Sequence, residues 1–421
     1  MRRPTETETL YLDFDGFFAS VHQQADKHLR GRPVGVAPFE GTKRTCIIAC
    51  SREAKMLGVK SVMSVTEAKR TCPDLILVPQ QPDLYRRAHN ALLAEISTVT
   101  PIDAVKSIDE LVCKVETSDR TNPQALGQRI KRRIAENIGT AITCSIGFAA
   151  NRQLAKMACK ASKRVGSIYG DGLAVWHPSA MPGPLLPLAL EDVPGVGRRM
   201  FRRLSVAGIV EMAQLLATQP KQMRALWRNV TGERLWYALH GYALQTPPSG
   251  RSMYGHGRVL PPEARNANDA REISRLLLTK AMRRMRRDGW CAGGMWLSLD
   301  IQGGSAHRSA PLIAAHDYQA VLATLDELWA DITPSLRRGT KIFRLHIALF
   351  DLTPASERQL DMLTNDDPAR AKWDAVSAAL DTLNAKYAQT VVSLGAWQPP
   401  AGGHAGGKIA YTRIPRAEDF W

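Results

Sequence analysis

The stretch Thr9-Leu-Tyr-Leu-Asp-Phe-Asp-Gly-Phe-Phe-Ala-Ser-Val21 reads as a buried strand that ends in carboxylates and turns into a helix running from Phe17 to Gln24. Asp13 and Asp15 are two residues apart at the strand end, so their side chains share one face. Much further along, residues 105–115 read as strand, acidic tip, strand, with Asp109 and Glu110 at the tip. Carboxylates gathered at adjacent strand ends repel one another unless a divalent cation neutralises them, and hard oxygen ligands suit Mg²⁺ or Mn²⁺. Two such ions about 4 Å apart activate an attacking oxygen and stabilise a leaving phosphate oxygen. Taken alone, the two acidic tips are weak evidence, because strand-end carboxylates are commonly just solvated.

Around this stretch, strands and helices alternate. Short apolar runs at 33–39 and 45–50 suggest small strands, and Ser51 is placed to cap a helix beginning Arg-Glu-Ala-Lys. Tyr85 to Ile96 has helical spacing, Pro123 to Asn137 is an amphipathic helix with a basic face, Ala141 to Phe148 is a strand, and Arg152 to Lys163 is a helix. This order predicts one mixed sheet with helices over residues 9–163. Pro178 to Pro187 has a linker composition, short helices follow over 197–241, and Thr246 to Gly250 marks a second linker. Residues 252–352 then read as a compact α+β unit: strand, long helix, strand, helix, strand. The tail beyond 353 reads as less regular, and no internal repeat is evident.

The chain has 421 residues, of which 44% are hydrophobic, which excludes wholesale disorder and allows roughly three to four domains. Lys and Arg number 56 against 40 Asp and Glu, a formal charge of +16. Such a balance favours polyanions, with nucleic acid first and an acidic membrane surface second. No apolar run is long enough to span a bilayer. The N-terminal Met1 to Leu10 segment lacks the apolar core of a secretory signal. The seven cysteines include no Cys-x-x-Cys pair, so buried reduced thiols in a cytoplasmic protein are expected.

Val193-Pro-Gly-Val-Gly197, followed by Arg198, Arg199, Arg202 and Arg203, is a second signal. Gly195 and Gly197 permit a tight turn whose backbone N–H groups open on a helix N-terminus, a fit for phosphate, and the arginines add sequence-independent attraction to a nucleic-acid backbone. This is the hairpin of a helix-hairpin-helix element, although an ordinary helix–turn–helix connection remains open. The helix from Arg271 to Arg287 carries seven cations against Glu272.

Together these motifs resemble the Y-family, or translesion, DNA polymerases of the DinB/UmuC type. The matching stretches are Tyr11 to Val21, Ser107-Ile-Asp-Glu110, Cys144-Ser-Ile-Gly-Phe-Ala-Ala-Asn151 running into Leu154-Ala-Lys-Met157 and Lys163, and Asp192-Val-Pro-Gly-Val-Gly197. They stand in the family's order, and the resemblance covers roughly residues 9–352. It implies an α+β multi-domain, right-hand polymerase architecture: a palm at 1–16 and 81–177, small fingers at 17–80, a helical thumb with the helix-hairpin-helix at 178–245, a linker at 246–251, an α+β little finger at 252–352 and a tail at 353–421. Asp13, Asp109 and Glu110 match the catalytic, metal-binding carboxylates, joined by the Phe14 carbonyl, and would hold two Mg²⁺ ions, with Mn²⁺ as a possible substitute. Phe18 matches the steric gate that excludes a 2′-hydroxyl, with Phe17 packing the palm. Lys163 matches a lysine that neutralises triphosphate charge, and Lys156 is a weaker candidate on the same helix.

Where DinB-type members have Tyr and Arg as triphosphate contacts, this chain has Arg52 and Lys55, closer to UmuC-type chains. Lysine lacks arginine's bidentate fork. His22 stands where Glu is common, and Leu111-Val-Cys-Lys114 replaces an aromatic and an acid. Small residues at Gly16, Ala19, Ser20 and Gly41 are compatible with a tolerant pocket. In the little finger, Tyr254 and Arg258, with His256 between them, lie where the family's strand follows template backbone; packing within the strand is the alternative. Gln359, Leu360, Met362 and Leu363 resemble the short peptide that binds the bacterial sliding clamp. The reading is a monomeric, template-directed DNA polymerase copying past damaged bases, with primer–template DNA, deoxynucleoside triphosphates and the clamp as partners. A catalytically weak scaffold that binds DNA and the clamp is the first rival. A repair nuclease or glycosylase built on the hairpin is the second.

Overall fold

The structure is a computed structural model that describes residues 1–38, 45–163, 171–245, 250–337, 339–358, 367–395 and 414–420. The chain divides into two compact units, Met1–Pro247 with Ile409–Ile414, and Pro248–Lys408 with Pro415–Trp421.

In the first unit the elements run β1 (Thr9–Phe14), α1 (Phe17–Ala25), β2 (Val34–Ala37), β3 (Ala49–Cys50), α2 (Arg52–Met56), α3 (Val65–Thr71), β4 (Ile76–Pro79) and α4 (Pro82–Ser97). They continue with β5 (Ile102–Val105), β6 (Glu110–Lys114), α5 (Pro123–Asn137), β7 (Cys144–Ala149), α6 (Arg152–Ser162) and β8 (Leu173–Val175). Four helices follow: α7 (Arg198–Val206), α8 (Met212–Leu216), α9 (Pro220–Trp227) and α10 (Val230–Leu239). The main sheet has the order β5-β6-β1-β7-β8, with β1 central and antiparallel to both neighbours. A small sheet, β3-β2-β4, is separate. The expectation of one sheet over 9–163 is corrected to two: β2 pairs in parallel with β4, not with the main sheet.

The two-residue period of β1 sorts its side chains. Leu10, Leu12 and Phe14 enter a core with α1, α4 and α5, whereas Tyr11 enters the opposite core with α6 and residues 185–239. Asp13 therefore lies on the α6 side. The 178–187 segment is no open tether. It makes short 3₁₀ turns, and Leu185 and Leu188 are buried in this second core.

α6 lies very close to β7. A Cβ on Gly147 would stand 2.1 Å from the Cys159 nitrogen and 2.2 Å from the Ala155 carbonyl oxygen, so only glycine fits. Asn151 caps α6 through the Leu154 amide (3.0 Å) and donates to the carbonyls of Ala238 (2.8 Å) and Tyr242 (3.0 Å), tying α6 to α10. Gly147→Ala is expected to destabilise the unit by roughly 3 kcal/mol, because rigid backbone must move. Urea denaturation checks this, and an unchanged midpoint would refute the close approach.

The second unit contains β9 (Met253–Val259), α11 (Ala267–Arg287), β10 (Trp290–Ile301), β11 (Gly304–Ala315), α12 (Tyr318–Ile332), β12 (Ile342–Pro354) and α13 (Asp367–Tyr387). Its sheet has the order β11-β10-β12-β9, and α11 and α12 bury their apolar faces against it. Two elements go beyond the sequence reading. β11 is a polar, largely exposed edge strand. α13 corrects the irregular tail; it is attached chiefly by charge, with Asp381 meeting Arg286 (2.8 Å) and the Tyr318 hydroxyl (2.5 Å), and Asp374 meeting Arg358 (2.6 Å). Six cysteines are buried and Cys46 is exposed, all as free thiols. Among the described residues, no helix is long and apolar enough to cross a membrane.

Candidate active site

The acids meet where β1 and β6 end side by side. Asp13 and Glu110 are direct cross-strand partners, so both side chains project to the face that α6 covers. The Phe14 amide donates to the Asp109 carbonyl (2.9 Å), tying the two strand ends together. Ser107 Oγ donates to Asp109 Oδ1 (2.5 Å) and accepts from the Asp109 amide (3.3 Å), which fixes the acidic tip. Asp15 sits one step outside. It accepts from Thr143 Oγ1 (3.0 Å) and Ser145 Oγ (2.9 Å), a supporting place.

Two lysines, Lys156 on α6 and Lys163 at its C-cap, seven residues or about two turns apart, face these acids. Lys163 Nζ lies 2.5 Å from Asp13 Oδ1 and 3.3 Å from Asp15 Oδ1. Lys156 Nζ lies 2.8 and 2.9 Å from the two Glu110 oxygens. The Tyr11 hydroxyl donates to Glu110 Oε2 (2.8 Å). Burial raises the Tyr11 pKa and Glu110 adds to the rise, so the phenol remains a donor. Burial favours a neutral Lys163 amine, but Asp13 and Asp15 outweigh it and hold the ammonium charged.

Burial pushes the Asp13 carboxyl up to about 6; Lys163 opposes this, and Asp109 and Glu110 add to it. The folded state thus binds this proton more tightly than an unfolded chain does. Stability from this group is greatest at low pH and declines as pH rises from the ordinary Asp range near 3.9 through about 6. A cation needs the ionised form, so divalent-cation affinity is expected to fall as pH drops below about 6. Mn²⁺ titrations at pH 5 and 7.5 check this, and equal affinity at both would contradict it.

The donor chemistry fits a hard divalent cation: the carboxylates of Asp13, Asp109 and Glu110, with the Phe14 backbone carbonyl next to Asp13 in sequence. As they stand, among the described residues no three His, Cys, Asp or Glu side chains converge closely enough to hold a metal ion. Asp13 and Glu110 are instead turned onto lysine ammonium groups, and Asp109 accepts from Ser107.

The impB/mucB/samB family model matches residues 12–160, and that family's C-terminal domain matches residues 251–362. DNA polymerase IV of Moorella thermoacetica is 30% identical over 403 residues, which cover 92% of this chain and 95% of that protein. The chain belongs to the impB/mucB/samB family. This is the Y-family of DNA polymerases, and membership implies dependence on a divalent metal. DNA polymerase IV 1 of Bacillus subtilis is 26% identical over 399 residues, covering 92% of each chain. Among solved structures, a Y-family DNA polymerase chimera of Dbh and Dpo4 superposes with a TM-score of 0.68 at 21% identity, covering 82% of this chain and 99% of that one. An insertion ternary complex of Dbh DNA polymerase gives 0.54 at 22% identity, covering 81% and 98%.

In this Y-family chain, Phe18 is half-buried and stacks on Tyr85, with centroids 4.3 Å apart and rings 22° from parallel. Tyr85 is buried, and its hydroxyl lies 2.8 Å from His22 Nε2. The sequence reading missed Tyr85 as the platform behind Phe18, and gave His22 no partner. Phe17 packs in the core, as expected. Ser51 caps α2 through the Ala54 amide (3.3 Å), leaving Arg52 and Lys55 exposed. Gly16 is required by backbone, not by pocket size. Its φ is +55°, and a Cβ there would stand 2.7 Å from the Cys50 carbonyl oxygen and 3.6 Å from Lys55 Nζ, which places Lys55 at the β1–α1 turn.

In the helical region, Gly195 has φ +101° and Gly197 is the N-cap of α7 with no side-chain cap, so the hairpin presents backbone N–H groups beside the exposed Arg198 and Arg199. In the second unit the expectation for β9 is corrected. Tyr254 is buried, donates to Asp288 Oδ2 (2.8 Å) and lies under the Arg251 guanidinium. Arg258 is half-buried on the same face, and burial lowers its pKa. The strand period turns Tyr254, His256 and Arg258 toward α11, away from the open side of the sheet. On that open side Trp296 contacts His307 and His346, at centroid distances of 5.7 and 5.0 Å. Gln359, Leu360, Met362 and Leu363 lie outside the described residues.

Proposed function

We propose that this chain is a template-directed DNA polymerase of the translesion type, which extends a primer 3′-hydroxyl with deoxynucleotides and continues past damaged template bases. Family membership supports the reaction class. The observation that carries the site assignment is the pairing of Asp13 with Glu110 across β1 and β6, with Asp109 beside them, under a lysine-bearing helix.

Asp13, Asp109, Glu110 and the Phe14 carbonyl would hold two Mg²⁺ ions, with Mn²⁺ as substitute. When bound, these ions activate the attacking hydroxyl and stabilise charge on the leaving pyrophosphate. The 3′-hydroxyl attacks the α-phosphate, and no covalent enzyme intermediate is needed. Lys163, Lys55 and Arg52 neutralise and orient the triphosphate. Phe18, braced by Tyr85, sits against the sugar and excludes a 2′-hydroxyl. Gly195, Gly197, Arg198 and Arg199 hold duplex phosphate without reading sequence. Residues 1–16 and 81–177 form the palm, 17–80 the fingers, 178–245 the thumb and 252–352 the little finger. The 359–363 peptide recruits the sliding clamp, and the enzyme acts as a cytoplasmic monomer.

Primer extension across a single abasic site tests the translesion reading. Addition opposite the abasic site and beyond it is expected. Efficient copying of intact template with complete arrest at the abasic site would refute that part.

A further inference from the structure

We propose that Lys156 is a built-in counter-cation for Glu110, and that a divalent cation entering the acid set competes with it. This rests on the reading of Asp13, Asp109 and Glu110 as the cation site, but the resemblance assigned Lys156 no firm role and Tyr11 none at all.

An ammonium has three protons to donate. Here the three acceptors within reach are Glu110 Oε1 (2.8 Å), Glu110 Oε2 (2.9 Å) and the Tyr11 hydroxyl oxygen (3.0 Å). The Tyr11 proton in turn goes to Glu110 Oε2 (2.8 Å), so lysine, phenol and carboxylate close a small ring. The ammonium also lies 5.1 Å from the centre of the Tyr11 ring, a cation–π distance. The lysine does not wander over the surface. Its helix is fixed by the Gly147 contact below and by the Asn151 cap at its start. Tyr11 is itself only 2% exposed, on the strand that carries Asp13.

Both Glu110 oxygens are therefore already engaged by a positive charge, the Lys156 ammonium. A cation binding there must share or displace it, and the lysine keeps the carboxylate compensated while no cation is bound. Lys156 is thus a positioning residue that acts through Glu110. Its removal has a signature that a merely structural lysine lacks: cation affinity rises while the cation-free protein loses stability.

The test is Mn²⁺ binding to the nucleotide-free, DNA-free full chain, followed by electron paramagnetic resonance of free Mn²⁺. Lys156→Met is expected to bind roughly tenfold tighter than wild type, the size expected for removing one charge a few ångströms from a cation near the surface. Lys156→Arg keeps the charge and should restore affinity to near wild type. Tyr11→Phe removes a neutral donor and should change affinity by only about twofold. In melting experiments without metal, Lys156→Met should unfold earlier, and Mn²⁺ should raise its midpoint more than it raises that of wild type. If Lys156→Met does not fold, Lys156→Gln keeps donors without charge and should show the same tightening. Unchanged or weaker Mn²⁺ binding in the uncharged variants, with Glu110→Gln still losing affinity, overturns the proposal alone. Unchanged Mn²⁺ affinity in Glu110→Gln overturns the assignment of Glu110 as a ligand, and the proposal with it.

Discussion

Asp109→Asn should slow templated nucleotide addition on the order of 10³-fold, about 4 kcal/mol of barrier, with primer–template affinity almost unchanged. The side chain is half-buried at a strand tip, and Asn is nearly isosteric, so the fold has little reason to suffer. Ser107 Oγ still finds a side-chain oxygen to donate to, and the backbone link from the Phe14 amide to the Asp109 carbonyl does not involve the side chain at all. What is lost is one negative charge where a divalent cation is to be held. The thumb hairpin and its arginines are untouched, which is why DNA binding should persist. Single-turnover addition and a binding isotherm on the same preparation separate the two effects. A loss confined to DNA affinity would place Asp109 outside the chemistry.

Phe18→Ala is the second large effect. The ring is held flat on Tyr85, which His22 and burial keep in place, so Phe18 cannot swing aside to accommodate an extra hydroxyl. A rigid clash is a strong discriminator. Replacing the ring should raise ribonucleotide incorporation relative to deoxynucleotide by roughly 10²-fold, near 3 kcal/mol. The ratio of kcat/KM values for matched ribo- and deoxynucleotides measures it. An unchanged ratio would return Phe18 to the role of core packing. Because half-buried Phe18 also packs on Tyr85, some loss of stability is expected beside the change in selectivity.

Much of this site was legible in the chain. Asp13 and Asp15 at one strand end, and Asp109 and Glu110 at another tip, are local patterns. The two-residue strand period then decides which face they share. The Ser51 cap and the glycine hairpin before Arg198 are equally local. What escaped the reading depends on pairing across long sequence separations. Tyr11 looked like one more apolar strand residue until the register set it diagonal to Glu110. Tyr85 looked like a helix residue until it came to lie under Phe18. The little-finger strand shows the opposite error. Tyr254 and Arg258 carry the right chemistry for phosphate, but the same two-residue period places them on the helix-covered side. α13 was missed because few of its residues are buried apolar ones; it is attached through Asp374 and Asp381 to arginines that lie elsewhere in the chain.

The central claim is that the acids at the ends of β1 and β6 transfer nucleotides under template direction. Single-nucleotide primer extension tests it most directly. Purified wild type and the Asp109→Ala/Glu110→Ala double variant receive a labelled primer–template, Mg²⁺ and one deoxynucleotide at a time. The account predicts addition of the nucleotide complementary to the template base by wild type, and none by the double variant, although both bind the DNA. Equal addition by both proteins, or DNA binding with no addition by wild type in Mg²⁺ or Mn²⁺, would contradict it.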